Sequence, residues 1–372
     1  MSDMRERYLL IDVARGFAAL SILLWHYQHF YYLAPGRPEF LPGAVQPFYG
    51  LLFPFYEAGF LSVQLFWLIS GFVFFSLYKP EDKIDGWTFF VHRFSRLYPL
   101  HFVTLLAVAA LQALSMARLG QFQIYSYNDG FHFLLHFFMA SDWARHTQKE
   151  LAFNQPIWSV SVEILTYLLF VLFCRFLPRS IWIMALISAL SVGLFVVTGN
   201  LAFKCVFYFF VGGLVHHFCV RRPVFANPRT LVPLAVLALA GLIAVHVAIY
   251  RIHGWYNLLP EALAATFGPV ILFLLARAES YVDKARIRRF VWIGDITYAT
   301  YLCHIPVQIS VLIFLQSRGI PQTVADSGLF FVSYMAFMIL LGVIVYNAFE
   351  RPAQSYLRQK LLRPSQPAVQ SF

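Results

Sequence analysis

Long apolar segments constrain the fold of this chain more than any other feature. An α-helix needs about 20 mostly apolar residues to cross the hydrocarbon core of a bilayer. Segments of this kind begin near residues 8, 58, 97, 156, 180, 202, 230, 258, 290 and 328. Hydrophobic residues make up 60% of the chain and charged residues only 12%, a balance that soluble domains do not have. The sequence therefore predicts an all-α polytopic membrane protein with about ten transmembrane helices.

The distribution of lysine and arginine predicts the orientation of these helices. If the N-terminus is cytoplasmic, the inner segments hold 20 of the 28 basic residues and the outer loops hold six. Membrane proteins concentrate Lys and Arg in their cytoplasmic loops, so we expect both termini in the cytosol. The basic residues behind the net charge of +10 then set the orientation of the helices in the membrane, and they do not indicate a nucleic-acid-binding surface.

The loops between the predicted spans are mostly short. The two longest gaps run from 34 to 57 and from 117 to 155. We therefore expect a single transmembrane domain over residues 1–360, followed by a disordered cytoplasmic tail over 361–372. The stretch 130–143 is too short to span and is rich in Phe and Trp, which favours an interfacial or re-entrant helix.

Few charged side chains fall within the predicted spans. Each costs at least about 2.5 kcal/mol at the centre of a transmembrane helix, so a functional site is the default hypothesis for such residues. They are Asp12, Arg15, Glu163, Lys204 and Asp295, and they are joined by the titratable His26, His29 and His304.

Arg15 and His26 lie in the same predicted span, eleven residues apart. This spacing puts them on one helix face with roughly 16 Å of axial rise between them, so Arg15 lies at inner depth and His26 at outer depth. Arg15 could instead be a structural ion-pair partner of Asp12, and His26 a structural hydrogen-bonding group between helices. The functional interpretation makes His26 a general acid or base.

Three more residues extend the candidate site. Glu163 enters its span from the outer side, at a depth similar to that of His26, where a carboxylate could orient the imidazole. On the inner side, Arg93 and Arg96 share one face at i, i+3. They are either interfacial arginines whose charged ends reach out of the bilayer or, together with Arg15, a basic entrance that binds a phosphate-bearing ligand from the cytosol.

Two histidine pairs suggest a metal hypothesis. His132 and His136 stand at i, i+4, and His216 is followed directly by His217. Neither pair is accompanied by a third ligand at a suitable spacing, so we assign no metal site.

Six motifs of this chain together resemble a known family. They are "IDVARGFAALSILLWH", "LFWLISGFVF", "HRFSRLYPLH", "NQPIWSVSVEI", "ITYATYLCHIP" and "ERPAQSYL". Their order and spacing are similar to those of the membrane acyltransferase-3 family, which O-acylates bacterial polysaccharides and related glycans. The resemblance covers nearly the whole chain. Gln64 departs from it, because many members carry an acidic residue at that position.

The resemblance implies a donor, an acceptor and a place in the cell. The donor is acyl-CoA, typically acetyl-CoA, entering from the cytosol, and no permanently bound cofactor is implied. The acceptor is a hydroxyl of a glycan or lipid-linked saccharide on the outer face of the bacterial inner membrane. The residues are therefore expected to divide their roles between the two sides of the membrane.

The resemblance also assigns residues. His26 matches the family's catalytic histidine, Arg15 its partner arginine, and Arg93 and Arg96 its paired arginines. Glu163 matches the acidic residue of the Trp-Ser motif. The further motif positions that we add to the candidate site are Asp12, Trp158, Ser161, His304 and Glu350.

Our leading hypothesis is O-acyl transfer across the membrane, with His26 as general base on the acceptor hydroxyl. A covalent acyl-histidine route stays open. The alternative is a transporter or flippase for a glycolipid or small anion, which carries out no chemistry. Inverted repeats and paired Gly/Pro-broken helices, typical of such transporters, are missing from the sequence. A purely structural protein would leave the buried Arg15, His26 and Glu163 unexplained.

Overall fold

A computed structural model describes residues 8–35, 37–38, 45–78, 84–144, 150–221 and 259–362, with scattered positions between 231 and 244. We number its helices in chain order as α1 (Leu9–His26), α2 (Tyr49–Ala58), α3 (Ser62–Leu77), α4 (Gly86–Leu119), α5 (Gly130–Phe137), α6 (Trp158–Phe176), α7 (Ile181–Thr198), α8 (Leu201–Arg221), α9 (Leu259–Ala278), α10 (Lys284–Arg288), α11 (Val291–Asp295), α12 (Thr297–Ser317), α13 (Gly328–Val345) and α14 (Arg351–Leu361). A π-helical turn, Tyr346–Glu350, joins the last two helices. Strands β1 (Tyr32–Ala34) and β2 (Arg37–Pro38) pair antiparallel.

Eight helical segments of the described residues are long and apolar enough to cross a membrane. They are Leu9–Tyr31, Tyr49–Leu77, Gly86–Leu119, Gln155–Phe176, Ile181–Thr198, Leu201–Val220, Thr297–Ser317 and Gly328–Leu361. Each corresponds to one of the ten predicted spans. The prediction of an all-α polytopic membrane protein is therefore confirmed.

The two other predicted spans need separate comment. The span near residue 258 corresponds to α9, whose apolar part is the shorter segment Ala264–Ala278. The span near residue 230 falls largely outside the described residues, as does the tail beyond residue 362. The stretch predicted as an interfacial or re-entrant helix contains α5, which has eight residues and is too short to span.

Local signals set the ends of several helices. The Asp85 carboxylate accepts a hydrogen bond from the Thr88 amide at 2.9 Å, so α4 begins well before the apolar segment that the sequence places near residue 97. α4 then runs for 34 residues to Gly120, whose φ of 71° ends it. Ser180 caps α7 in the same way, and Gly199, with φ of 68°, ends it.

A distant carboxylate caps the first helix. The backbone amides of Leu9 and Leu10 donate to the two carboxylate oxygens of Glu279 at 3.0 and 2.8 Å. The first amides of a helix have no partner within the helix, and its N-terminus carries partial positive charge, so a carboxylate there is doubly favourable. The start of α1 is thereby fixed to the chain just after α9.

The chain divides into two compact units. Unit 1 comprises Met1–Ala18, Ala58–Ile84 and Glu163–Asp295, and unit 2 comprises Ala19–Glu57, Asp85–Val162 and Ile296–Phe372. Within unit 1, α8 packs against α3, α7 and α9. Within unit 2, α12 packs against α4 and α13, and α14 packs against α4.

Helices α3 and α8 approach each other closely in unit 1. A Cβ atom on Gly71 would lie 1.8 Å from the carbonyl oxygen of Phe209, and one on Gly212 would lie 2.0 Å from the carbonyl oxygen of Leu68. Small residues let helix backbones come this close in a membrane, where packing rather than water exclusion drives association. The two glycines therefore set the distance between α3 and α8.

Replacing Gly71 or Gly212 by alanine should destabilise the protein by about 1–3 kcal/mol or more, because the obstructing atoms are backbone and cannot move aside. The measurement is the midpoint of thermal unfolding of the purified protein in detergent. Gly193→Ala in α7 is the matched control, since in the described part of the chain a Cβ there meets no atom within 4 Å. Equal midpoints for all three variants would show that α3 and α8 do not pack through these glycines.

Candidate active site

Three of the histidines singled out in the sequence come together in unit 2. The ring centroids of His26 and His304 are 4.6 Å apart, and those of His26 and His29 are 5.0 Å apart. His26 ends α1, His29 lies in the 3-10 turn that follows, and His304 lies in α12. All three side chains are buried. We call these residues the histidine cluster.

One hydrogen bond fixes which ring nitrogen of His26 carries the proton. Nδ1 lies 3.1 Å from the carbonyl oxygen of Ile22, one turn earlier in α1. A carbonyl oxygen only accepts, so Nδ1 must donate, and the neutral ring keeps its lone pair on Nε2. Nε2 is therefore the nitrogen able to take a proton from a substrate hydroxyl.

Gln308 holds the histidine cluster in place, and the sequence analysis did not identify it. Its Nε2 donates to the backbone carbonyl of His26 at 3.0 Å, and its Oε1 accepts from Nδ1 of His29 at 2.9 Å. The side chain is fully buried. Gln308 follows His304 by four residues, on the same face of α12. That i, i+4 pairing of a histidine and an amide within a span is the signal that could have found it.

The Trp-Ser motif is anchored to the helix that carries His304. The hydroxyl of Tyr301, three residues before His304, donates to the carbonyl of Pro156 at 2.5 Å. The same hydroxyl lies 2.8 Å from Oγ of Ser159. Trp158, half-buried, begins α6 between these two contacts. The start of α6 is therefore set by α12.

Ser161 contacts the loop that precedes α6. The backbone amide of Asp142 donates to Oγ of Ser161 at 3.3 Å, and Nε1 of Trp143 donates to its carbonyl at 3.0 Å. The Asp142 carboxylate accepts from the Ser141 hydroxyl at 2.6 Å and from the Gln155 amide at 3.5 Å. Burial of this loop carboxylate raises the pKa of Asp142 to about 7 in spite of these hydrogen bonds.

The two glutamates of the predicted site lie in different surroundings. Glu163 belongs to unit 1 and is half-buried, one turn before Thr166, whose hydroxyl donates to Sγ of Cys205 at 3.2 Å. Glu350 is buried in the π-helical turn of unit 2, within electrostatic range of Cys303. The pairing of Glu163 with His26 stays a prediction.

Arg15 is held within unit 1 by two acceptors. Its Nη2 donates to the carbonyl oxygen of Gly294 at 3.0 Å and lies 3.5 Å from the Asp12 carboxylate. Asp12 is itself buried. Close packing makes the first contact possible, because a Cβ on Gly294 would lie 2.3 Å from the backbone oxygen of Asp12. The ion pair considered from the sequence is present, and it is compatible with a role in ligand binding.

A third arginine joins the pair in α4. Arg358 of α14 lies close enough to Arg93 and Arg96 for the guanidinium groups to repel each other. Its Nε donates to Oγ of Ser95 at 3.2 Å. Arg93 and Arg96 are half-buried. The sequence analysis missed Arg358, although it follows the motif "ERPAQSYL" directly. Guanidinium groups gathered in this way favour an anion such as a phosphate.

Gln64 is paired with a carboxylate from another helix of unit 1. Its Nε2 lies 3.1 and 3.3 Å from the two carboxylate oxygens of Glu261. Glu261 also forms an ion pair with Lys204. At the position where the resemblance implies an acidic residue, the carboxylate is therefore supplied by Glu261 of α9. Glu261 is a further residue that the sequence analysis did not single out.

Among the residues that the structure describes, no group of three or more His, Cys, Asp or Glu side chains is arranged to hold a metal ion. His132 lies between two carboxylates, with Nδ1 2.8 Å from Asp129 and Nε2 3.1 Å from Glu150. The backbone carbonyl of His136 accepts from Nε2 of His101 at 2.7 Å. These contacts stabilise the loop around α5.

Comparison with known proteins decides the family. The acyltransferase-3 family, described as "Acyltransferase domain", matches residues 8–347. The chain belongs to this family. It is an O-acyltransferase and an integral membrane protein, which favours the enzyme over the transporter hypothesis.

Two similar proteins are related over most of the chain. Acyltransferase MdmB of Streptomyces mycarofaciens is 26% identical over an alignment 335 positions long, which covers 81% of this chain and 82% of that protein. O-acetyltransferase OatA of Staphylococcus aureus is 24% identical over an alignment 389 positions long, which covers 93% of this chain and 57% of OatA. The chain thus spans little more than half the length of OatA. No solved structure matches it.

The pKa of Asp142 predicts a pH dependence of stability. The folded chain binds the proton more tightly than the unfolded chain, whose aspartates titrate near pH 3.9, so this group should lower the free energy of unfolding as the pH rises from about 4 to about 7. Asp142→Asn removes that contribution. Between pH 5 and pH 8 the free energy of unfolding should fall by up to about 2–3 kcal/mol less in the variant than in the wild type, as measured by thermal unfolding.

Asp85→Asn is the control for this experiment. Hydrogen bonds from the hydroxyl and amide of Thr88 lower the pKa of Asp85, so it stays ionised throughout that pH range and its replacement by asparagine, which also caps a helix, should not change the pH dependence. Identical pH profiles for the wild type and Asp142→Asn would contradict the assignment.

Proposed function

We propose that the protein transfers an acyl group, acetyl in the simplest case, from cytosolic acyl-CoA to a hydroxyl of an extracytoplasmic glycan or glycolipid. The enzyme works in the bacterial inner membrane with both termini in the cytosol, and His26 is its general base. The observation that carries this proposal is the free Nε2 lone pair of His26 in a buried cluster, on a chain of the acyltransferase-3 family. The similarity to OatA, which is named an O-acetyltransferase, supports acetyl as the group transferred.

The proposed reaction passes one proton through His26. Nε2 accepts the proton of the acceptor hydroxyl while the hydroxyl oxygen forms a bond to the thioester carbonyl carbon. The carbon–sulfur bond then breaks, and the leaving thiolate of coenzyme A takes the proton from the imidazolium. In the covalent route, Nε2 attacks the thioester carbonyl carbon and expels the thiolate of coenzyme A. The acceptor hydroxyl oxygen then attacks the acyl carbon, the bond from that carbon to Nε2 breaks, and the hydroxyl proton goes to the thiolate. Both routes use the tautomer that the Ile22 carbonyl favours.

The other members of the cluster support His26 in different ways. Gln308 positions it, because it fixes the His26 backbone and the His29 ring together. His304 faces His26, and neither of its ring nitrogens makes a well-aligned hydrogen bond among the described residues, although the carbonyls of Thr300 and Tyr301 lie near. We assign His304 a direct contact with the substrate or the transferred proton. Glu163 keeps its proposed role of orienting carboxylate.

Arginines bind the donor in this proposal. Bringing Arg93, Arg96 and Arg358 together costs electrostatic free energy, which the phosphates of coenzyme A offset. Arg15 is assigned to donor binding as well, with Asp12 and Gly294 holding its guanidinium group. The chemistry proposed needs no metal and no permanently bound cofactor.

His26→Ala should reduce acyl transfer by about 10²- to 10⁴-fold or more, because it removes the proton acceptor. The assay is release of free coenzyme A from acetyl-CoA together with appearance of acetylated glycan, for the purified protein in lipid. Folding should be preserved, as judged by thermal unfolding. His217→Ala, a half-buried histidine of α8, is the control and should stay active. Normal acyl transfer by a folded His26→Ala protein would show that His26 is not the general base.

Replacing Arg93, Arg96 or Arg358 by alanine should weaken coenzyme A binding by roughly tenfold or more each, since each loses a hydrogen bond to a charged group. Raising the salt concentration should mimic these variants, because partly exposed charges are screened over a Debye length of about 8 Å at physiological ionic strength. Binding is measured by calorimetry in detergent across a salt series.

Two further arginine variants complete that series. Arg15→Ala should cost more and depend less on salt, because its removal leaves the buried Asp12 carboxylate without its cation. Arg318→Ala, which removes an arginine stacked on Phe314, is the control and should bind normally. Unchanged affinity for coenzyme A in every variant would show that these arginines do not bind the donor.

A further inference from the structure

A second polar cluster lies in unit 1, where three helices begin. Gln64 is the third residue of α3, Lys204 the fourth of α8 and Glu261 the third of α9. Gln64 and Lys204 both contact the Glu261 carboxylate, so the N-terminal ends of the three helices meet. In the orientation that the basic residues predict, the N-terminal ends of these three helices face the outer side of the membrane. We call these three residues the amide–ion-pair cluster.

The amide–ion-pair cluster is not a closed hydrogen-bonding network. Gln64 is only 3% exposed, and its Oε1 is buried without a hydrogen-bond partner among the described residues. The orientation of the amide is not arbitrary, because Nε2 faces carboxylate oxygens, which can only accept. Buried polar atoms of a purely structural network are normally satisfied. The orphaned acceptor therefore points to a donor supplied by a ligand.

Charge balance within the cluster indicates the chemistry of that ligand. Lys204 and Glu261 neutralise each other, so the cluster offers hydrogen bonds rather than net charge. Lys204 brings donors only, whereas the Glu261 carboxylate and Oε1 of Gln64 bring acceptors. A hydroxyl group both donates and accepts. Neighbouring hydroxyls therefore fit this mixed set better than a phosphate or a carboxylate, which would find no uncompensated cation.

Aromatic rings surround the cluster and leave it partly open. Nζ of Lys204 lies 5.5 Å from the ring centroid of Phe195, and the Tyr208 hydroxyl donates to the Glu261 backbone carbonyl at 3.3 Å. The side chains of Lys204 and Glu261 are 10% and 23% exposed, so a ligand can reach them. A few polar groups set among aromatic side chains are typical of small-molecule sites. Sugars present both hydroxyls and apolar C–H faces to such surroundings.

We propose that Gln64, Lys204 and Glu261 bind neighbouring hydroxyls of a saccharide. Oε1 of Gln64 accepts a hydrogen bond from one hydroxyl, Nζ of Lys204 donates to the oxygen of the same hydroxyl or its neighbour, and Glu261 holds the lysine and the amide in place. Identifying this saccharide with the acyl acceptor rests on the proposed function, whereas the binding itself does not.

The test uses the full-length protein in lipid nanodiscs, free of glycoside detergents. Glucose and N-acetylglucosamine serve as probes. The first readout is the rise in the thermal unfolding midpoint with added sugar, because a ligand of the folded state stabilises it. The second readout is release of coenzyme A from acetyl-CoA with and without the same sugar. The two readouts separate saccharide binding from acyl transfer.

One substitution and one control test the orphaned oxygen. Gln64→Met removes Oε1 at nearly constant side-chain length; it also removes the Nε2 donor to Glu261, whose carboxylate keeps Lys204 as a partner. Thr266→Val, on the exposed side of α9, is the control, because its hydroxyl bonds the carbonyl of Ala262 in its own helix. If Gln64→Met does not fold, Gln64→Asn, which withdraws the oxygen by one bond length, provides the same comparison.

The proposal expects a probe sugar to raise the wild-type midpoint, with Gln64→Met needing roughly five- to tenfold more sugar for the same rise. Thr266→Val should need a sugar concentration within about twofold of that of the wild type. An equal midpoint rise in Gln64→Met and the wild type, or no rise with either sugar in the wild type, overturns the saccharide site. A sugar that binds through Gln64 but does not stimulate release of coenzyme A supports the site and argues against the proposed function.

Discussion

Hydrocarbon offers no hydrogen-bonding partners, and the arrangement of polar side chains in both units depends on that constraint. In unit 1, Arg15 is paired with Asp12 and a backbone carbonyl, and Lys204 is paired with Glu261. In unit 2, a single amide, Gln308, serves a backbone carbonyl and a histidine ring. Because most polar atoms are satisfied in this way, an orphaned one such as Oε1 of Gln64 carries more information than it would in a soluble protein.

Helix α12 organises unit 2 through one face. Hydroxyl or amide groups at i, i+3 and i+10 reach three different segments: Tyr298 bonds the carbonyl of Leu97 in α4 at 2.6 Å, Tyr301 bonds Pro156 before α6, and further along Gln308 bonds the end of α1. His304 lies on the same helix between the last two contacts. A rotation of α12 would therefore change the surroundings of the histidine cluster and of the arginine-bearing helix together.

The spans could be predicted from the sequence because apolar length is a local property. Arg15 and His26 could also be identified locally, since each is expensive in an apolar segment whatever its neighbours are. Glu261 and Gln308 gain their importance from partners far away in the chain, 197 residues from Glu261 to Gln64 and 282 from Gln308 to His26. Periodicity and composition contain no information about such pairings. The sequence analysis missed Arg358 for the same reason, because only the packing of α14 on α4 brings it close to Arg93 and Arg96.

The capping of α1 by Glu279 has a consequence for the order of assembly. The first turn of α1 is made before the rest of the helices of unit 1, but the carboxylate that receives its amides lies 270 residues later. At about 5–20 residues per second, synthesis of that stretch takes roughly 15–50 s. Until then water or lipid headgroups must satisfy the amides of Leu9 and Leu10. The N-terminal cap of α1 therefore forms only after α9 has been made. Assembly of unit 1 thus includes a late contact between the start of α1 and Glu279, which are synthesised far apart in time.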